Sequence, residues 1–273
     1  MLSSPPPAVL AAFGAAGASP VPLSGGQGVC WLASDVVLKP AELDRQELAW
    51  QAEICSRVSG EGFRLARPRA ATDGSLCVDG WCATEYVTGR HEPRRWAEII
   101  AVGERLHAAL RGIPRPDFLD QRSSPWAVSD RVAWGELPAS DFPGVRHLPQ
   151  LTGALRPLTA ASQIIHGDLT GNVLFDDRKP PAVIDFSPYW RPPGYASGIV
   201  IADALVYEGA DSQVLGAVSH IEDFAQYLIR ALIFRTVAGW IVRQNDPARS
   251  AAEAGRWAEA VELARQLADH PDR

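Results

Sequence analysis

Apolar residues Trp96, Ile99, Ile100, Val102, Leu106 and Leu110 recur near helical spacing, and Gly112 and Pro114 follow them. This predicts a long amphipathic helix over 96–110. A second helix is predicted over 41–58, where Leu48, Ala52 and Cys55 share one face and charges occupy the others. Before it the period shortens. Residues 29–32 and 35–39 read as strands beside the turn Gly25-Gly-Gln-Gly28, and Pro40 ends the second strand. Residues 75–79 and 81–87 predict a hairpin around Asp79-Gly80. The stretch 113–150, rich in Pro, Asp, Ser and Trp, has weak periodicity and predicts loop with short helices. Another helix is expected over 150–161. Short apolar runs at 164–165, 173–175 and 181–186 predict strands, the last two joined by a turn at 176–180. Residues 199–209, 216–244 and 248–269 are mainly helical in pattern. The prediction is an α+β chain: a small β-rich N-terminal part with one long helix, then a larger helical part with a short β-hairpin in its middle. The expected boundary divides 1–87 from 88–273.

Composition narrows the class. With 273 residues, 47% of them hydrophobic, the chain can bury the core of one large domain or two small lobes. A net charge of −6 offers no global basic field to nucleic acid or to an anionic membrane, so neither partner is expected. The most hydrophobic run, 227–242, is interrupted by Arg230 and Arg235 and does not read as membrane-spanning. The small apolar run 8–18 has no Lys or Arg before it and predicts a docking helix, not a secretion leader. Cys30, Cys55, Cys77 and Cys82 form no C-x-x-C pair, which suggests reduced thiols in a cytoplasmic protein. Of 26 basic residues only Lys39 and Lys179 are lysine. A lysine ending the apolar run Val36-Val-Leu-Lys39 points to a use for a compact charge.

The most informative stretch is His166-Gly-Asp-Leu-Thr-Gly-Asn172, followed by Ala182-Val-Ile-Asp-Phe186. It places two carboxylates and a carboxamide on two short segments. Asp185 follows Ala-Val-Ile in a buried-looking strand, where an unpaired charge is costly, so a metal or cationic partner is expected there. Phosphoryl transfer needs metal ions bridging phosphates, a cation on the phosphates, and a group aiming the acceptor hydroxyl. Asn172 and Asp185 supply oxygen donors suited to Mg2+. Asp168 can aim the acceptor or take its proton. His166 reads as a packing and hydrogen-bonding residue that fixes the turn.

His-Gly-Asp-Leu-x-x-Asn-Val-Leu-Phe with Val-Ile-Asp-Phe resembles the aminoglycoside phosphotransferase / choline kinase family. The resemblance implies a two-lobed protein-kinase-like fold, with residues 1–87 as a nucleotide-binding lobe and 88–273 as a catalytic and acceptor-binding lobe. It implies an ATP-dependent phosphotransferase with Mg2+, acting on a hydroxyl of a small-molecule acceptor. Asp168 would be catalytic, and Asn172 and Asp185 would hold the metal. Gly26 and Gly28 would cover the phosphates. Lys39 would hold them, paired with Glu53 or, second, Glu47. Glu85 and Val87 would offer backbone to the adenine. One departure stands out: three residues, not the family's usual four, separate Asp168 from Asn172, and Gly171 is expected to take an unusual backbone conformation to allow it. The alternative left open is a non-catalytic, pseudokinase-like nucleotide-binding module. A protein kinase is disfavoured because Ser187-Pro-Tyr-Trp-Arg-Pro-Pro193 replaces a long activation loop. A two-metal phosphoesterase lacks its His and Asp clusters.

Overall fold

A computed structural model of the chain describes residues 4–23, 29–243 and 251–269. The chain divides into two compact units, residues 1–92 with 171–186, and residues 93–170 with 187–273. In chain order the first unit begins with α1 (Pro7–Ala12), β1 (Val21–Pro22), β2 (Trp31–Ala33), β3 (Val36–Pro40), α2 (Arg45–Arg57), β4 (Arg64–Leu65), β5 (Pro68–Arg69) and β6 (Trp81–Glu85). The second begins with α3 (Trp96–Ala109), α4 (Phe118–Gln121), α5 (Pro125–Ala133), α6 (Leu148–Gly153) and β7 (Gln163–His166). The chain returns to the first unit for β8 (Val173–Leu174) and β9 (Ala182–Val183). It ends in the second with β10 (Pro188–Arg191), α7 (Gly194–Val206), α8 (Phe224–Val242) and α9 (Ala251–Asp269).

In the first unit, β1-β2-β3-β6-β5 form one antiparallel sheet. The alternation of β3 buries Val36 and Leu38 and leaves Lys39 at the strand end opposite Cys82. Val9, Leu10 and Phe13 of α1 and its cap join Val36, Leu38, Trp81 and Ala83 in one core, so the N-terminal helix does dock. The predicted hairpin at 75–87 is not formed as expected. Residues 75–79 make no strand, and only a Val78–Trp81 bridge spans the Asp79-Gly80 turn. Trp81–Glu85 is taken up instead by β3, with five paired positions.

The hairpin β8–β9 belongs to this unit, and the unit also runs to residue 92. Both differ from a linear division at 87. Two-residue strands bury too little surface alone, and β9 finds a parallel partner in β4. Arg64 reinforces that pairing by donating to the Pro180 and Thr88 carbonyls at 2.7 Å each. Thr88 Oγ1 in turn donates to Asp176 at 2.6 Å.

The second unit is built around α8, which packs against α5, α6, α7 and α9. By length and composition α8 could cross a membrane. Here Leu228, Ile229, Leu232, Ile233 and Val237 are fully buried within the unit instead. Each such side chain contributes roughly 1.5–3 kcal/mol. Helix α7 lies so close to α8 that a Cβ on Gly198 would sit 2.8 Å from the Tyr227 carbonyl oxygen. Backbone cannot yield as a side chain can. Gly198→Ala is therefore expected to destabilise the protein by about 1–3 kcal/mol in denaturant unfolding, and an unchanged midpoint would contradict this packing. The helix expected over 150–161 is Leu148–Gly153 only; Pro157 disfavours helical backbone just beyond it.

Candidate active site

Three of the sequence-selected residues converge within the first unit. Lys39, at the end of β3, donates from Nζ to Asp185 Oδ1 at 2.5 Å. Burial alone would lower the Lys39 pKa, but the adjacent Asp185 carboxylate outweighs it and holds the ammonium above its ordinary value. Asp185 follows β9 in a left-handed conformation, with φ of 47°. Aspartate tolerates that region better than most residues, and the turn redirects the chain as it leaves the strand. The Ile184 N–H donates to the Asn172 carbonyl at 3.0 Å, which puts Asn172 and Asp185 at the same end of the β8–β9 hairpin. The result is an ammonium, a carboxylate and a carboxamide on adjoining strand ends.

Gly171 has φ of 80° with open space around its missing Cβ. The conformation expected of the shortened loop is therefore present, and strain, not a clash, is the obstacle to any other residue. Gly171→Ala is expected to cost about 1–2 kcal/mol of stability, read by thermal unfolding; no loss would show that the loop relaxes freely.

In the second unit, Asp168 stands on a turn fixed from several sides. β7 pairs with β10 so that His166 faces Pro188, and the Gly167 N–H donates to the Ser187 carbonyl at 2.9 Å. His166 is fully buried, and its Nδ1 accepts from the backbone N–H of Asp168 at 3.2 Å and of Ser187 at 3.4 Å. The backbone N–H of His166 donates to His107 Nε2 at 3.0 Å. His166 thus fixes the turn, as its place in the motif suggests. Leu169 is buried against Gly103 of α3. The Asp168 side chain remains 43% exposed and accepts from Arg235 Nη2 at 3.0 Å. Arg235 also grips Asp203, at 2.7 and 2.6 Å. Burial raises the Asp203 pKa, with Arg235 opposing that rise.

His107 carries a consequence for stability. Burial, with a smaller contribution from His166, pushes its imidazole down from 6.5 to about 3. Above pH 6.5 the folded and unfolded chains both hold it neutral. Between that value and about 3 the unfolded chain binds a proton that the folded chain refuses. Stability therefore falls as pH drops through this window, by up to about 1.4 kcal/mol per pH unit. His107→Gln is expected to flatten that fall between about pH 7 and pH 5 in denaturant titrations. An unchanged slope would show that His107 is not its source.

Other selected residues fall elsewhere. Glu53 is not brought to Lys39: it lies on the exposed face of α2 and pairs with Arg57 at 2.9 Å. Its expected pairing is corrected, because α2 turns Glu47, Leu48, Gln51, Ile54 and Cys55 inward instead. Glu47, the second candidate, is buried and accepts from Gln51. Glu85 closes β6, its N–H donating to the Arg67 carbonyl at 2.8 Å, and Val87 lies half-buried in the extended chain beyond. Gly26 and Gly28 lie outside the described residues. Asp130 and Glu136 both engage Arg191, at 2.7 and 2.6 Å. Arg235 is a residue that the motifs do not reveal. Its signal is that it is one of two cations, with Arg230, in a mainly apolar helix, while Asp203 is the lone charge of α7.

A β-sheet unit carrying Lys39 and the Asn172–Asp185 hairpin, and a helical unit carrying Asp168, define the α+β architecture of protein-kinase-like phosphotransferases. The model of the phosphotransferase enzyme family matches residues 21–189, and the chain belongs to that family. A search of curated proteins finds no match. Solved structures give the same fold. An amicoumacin kinase, hAmiN, in complex with AMP-PNP, Ca2+ and Ami, superposes with a TM-score of 0.62 at 14% identity, covering 90% of this chain and 88% of that one. Choline kinase LicA from Streptococcus pneumoniae gives 0.59 at 14% identity, over 91% and 93%. A choline/ethanolamine kinase family protein from Mesorhizobium loti gives 0.57 at 20% identity, over 92% of each. Family and fold together support a small-molecule phosphotransferase.

Proposed function

We propose that this protein moves the γ-phosphoryl group of ATP to a hydroxyl of a small molecule. The observation that carries the reading is the assembly of Lys39, Asn172 and Asp185 at one hairpin end, with Asp168 four residues upstream on a fixed turn. The donor set fits a hard divalent cation. Among the described residues no group of three or more His, Cys, Asp or Glu gathers to cage a metal. Asn172 and Asp185 would hold Mg2+ through oxygen, leaving its other positions to phosphates and water. Bound there, the ion would neutralise phosphate charge. Lys39 then serves the phosphates as a point charge, exchanging or sharing its bond to Asp185. Glu85 and Val87 offer backbone to the adenine. Asp168 aims the acceptor hydroxyl and accepts its proton.

The test is ADP release with Mg-ATP and a panel of hydroxylated metabolites, with the phosphorylated product identified by mass. Acceptor-dependent release supports the reading. The short Asp168–Asn172 spacing favours a second reading, a nucleotide-binding module without turnover; tight Mg-ATP binding with no product from any acceptor would establish it.

A further inference from the structure

A carboxylate that aims a hydroxyl must be held in one rotamer, and a half-exposed side chain on a turn is not held by packing. Arg235 supplies the restraint. It projects from α8, whose only charges are Arg230 and Arg235. Its Nε donates to Asp203 Oδ1 at 2.7 Å and its Nη2 to Asp203 Oδ2 at 2.6 Å, a two-point grip. The same Nη2 reaches Asp168 Oδ1 at 3.0 Å. Asp203 is itself 5% exposed on α7, so the anchor is buried. The guanidinium carbon lies 5.2 Å from the Phe234 ring and 6.0 Å from the Trp126 ring, and only 11% of the Arg235 side chain is exposed. Arg230, one turn earlier on the same helix, shows the contrast. It donates to Gln226 and to the Arg156 carbonyl and, among the described residues, bonds no carboxylate. One arginine of α8 ties its own helix to the Arg156 carbonyl, while the other ends at the proposed catalytic carboxylate.

We infer that Arg235, anchored by Asp203, is a positioning residue for Asp168: it fixes the carboxylate rotamer and balances its charge. This rests on the phosphotransferase reading above. A displacement of about 1 Å at a reacting group can lower a rate roughly 100-fold, so the restraint affects turnover more than binding. Lysine cannot reproduce the fork that holds two carboxylates at once.

Two variants test this. Removing the arginine alone would strand a buried Asp203 charge and endanger folding. Arg235→Met combined with Asp203→Asn removes both charges together, and Arg235→Lys keeps the charge without the fork. Thermal unfolding, Mg-ATP calorimetry, and kcat and KM for ADP release are read for each. The double variant is expected to fold and to bind Mg-ATP within about twofold of wild type, with kcat lowered about 100-fold and KM little changed. Arg235→Lys is expected to recover about tenfold of that loss. A double variant whose kcat per folded molecule stays within about threefold of wild type overturns the inference. A wild type that binds Mg-ATP and releases no ADP overturns the phosphotransferase reading first, and this inference with it. The two failures are distinguished by whether the wild type or only the comparison of variants gives the negative result.

Discussion

Asp168→Asn is expected to lower turnover by about 10²–10⁴-fold while leaving Mg-ATP affinity within about twofold of wild type. The substitution keeps shape and removes one acceptor oxygen and its charge. The turn beneath it has restraints besides the carboxylate. It is held by the backbone N–H bonds of Asp168 and Ser187 to His166 Nδ1 and by the buried Leu169. Arg235 keeps its two-point grip on Asp203. Folding and nucleotide binding therefore persist, and the loss falls on the step that needs the proton acceptor. Matched steady-state kinetics and calorimetry check both halves. Turnover within about tenfold of wild type would remove Asp168 from the chemistry.

Lys39→Ala is expected to weaken Mg-ATP binding and turnover together, with kcat/KM falling at least about 100-fold. Lys39 supplies the only ammonium of the described hairpin end, and Asp185 receives it at 2.5 Å. Without it, the described hairpin end would offer the phosphates oxygen donors and no ammonium. Lys39→Arg is expected to recover little, because a planar fork does not occupy the space of a compact ammonium. Calorimetry and ADP release on both variants decide the matter. A Lys39→Ala protein with wild-type kcat/KM would show that the phosphates lie elsewhere.

Legibility from the sequence followed chain distance. Asp168, Asn172 and Asp185 lie within eighteen residues on a turn and a hairpin, so local pattern was enough to group them. Lys39 was found from farther away because it is one of only two lysines and ends an apolar strand. Glu53 failed because helical spacing identifies faces without saying which one is buried. The inward face of α2 carries Glu47 and Gln51 beside its apolar residues, so polarity does not mark its outward face. The unit boundary failed for a related reason. The pairing of β9 with β4 joins residues more than a hundred positions apart, and two-residue strands leave no pattern of their own. The contact of Arg235 with Asp168 and Asp203 depends on the register of α8 against α7, set by the close approach at Gly198 and Tyr227. The sequence shows Asp203 as the lone charge of α7 and two arginines on α8, but not which of the two meets it.

Calorimetric titration of Mg-ATP into the wild type and Asp185→Ala asks whether Lys39, Asn172 and Asp185 form a nucleotide-metal site. Micromolar binding by the wild type that requires the divalent ion and is lost in the variant is the expected result. Equal binding by both proteins, or none by the wild type with or without Mg2+, would contradict it.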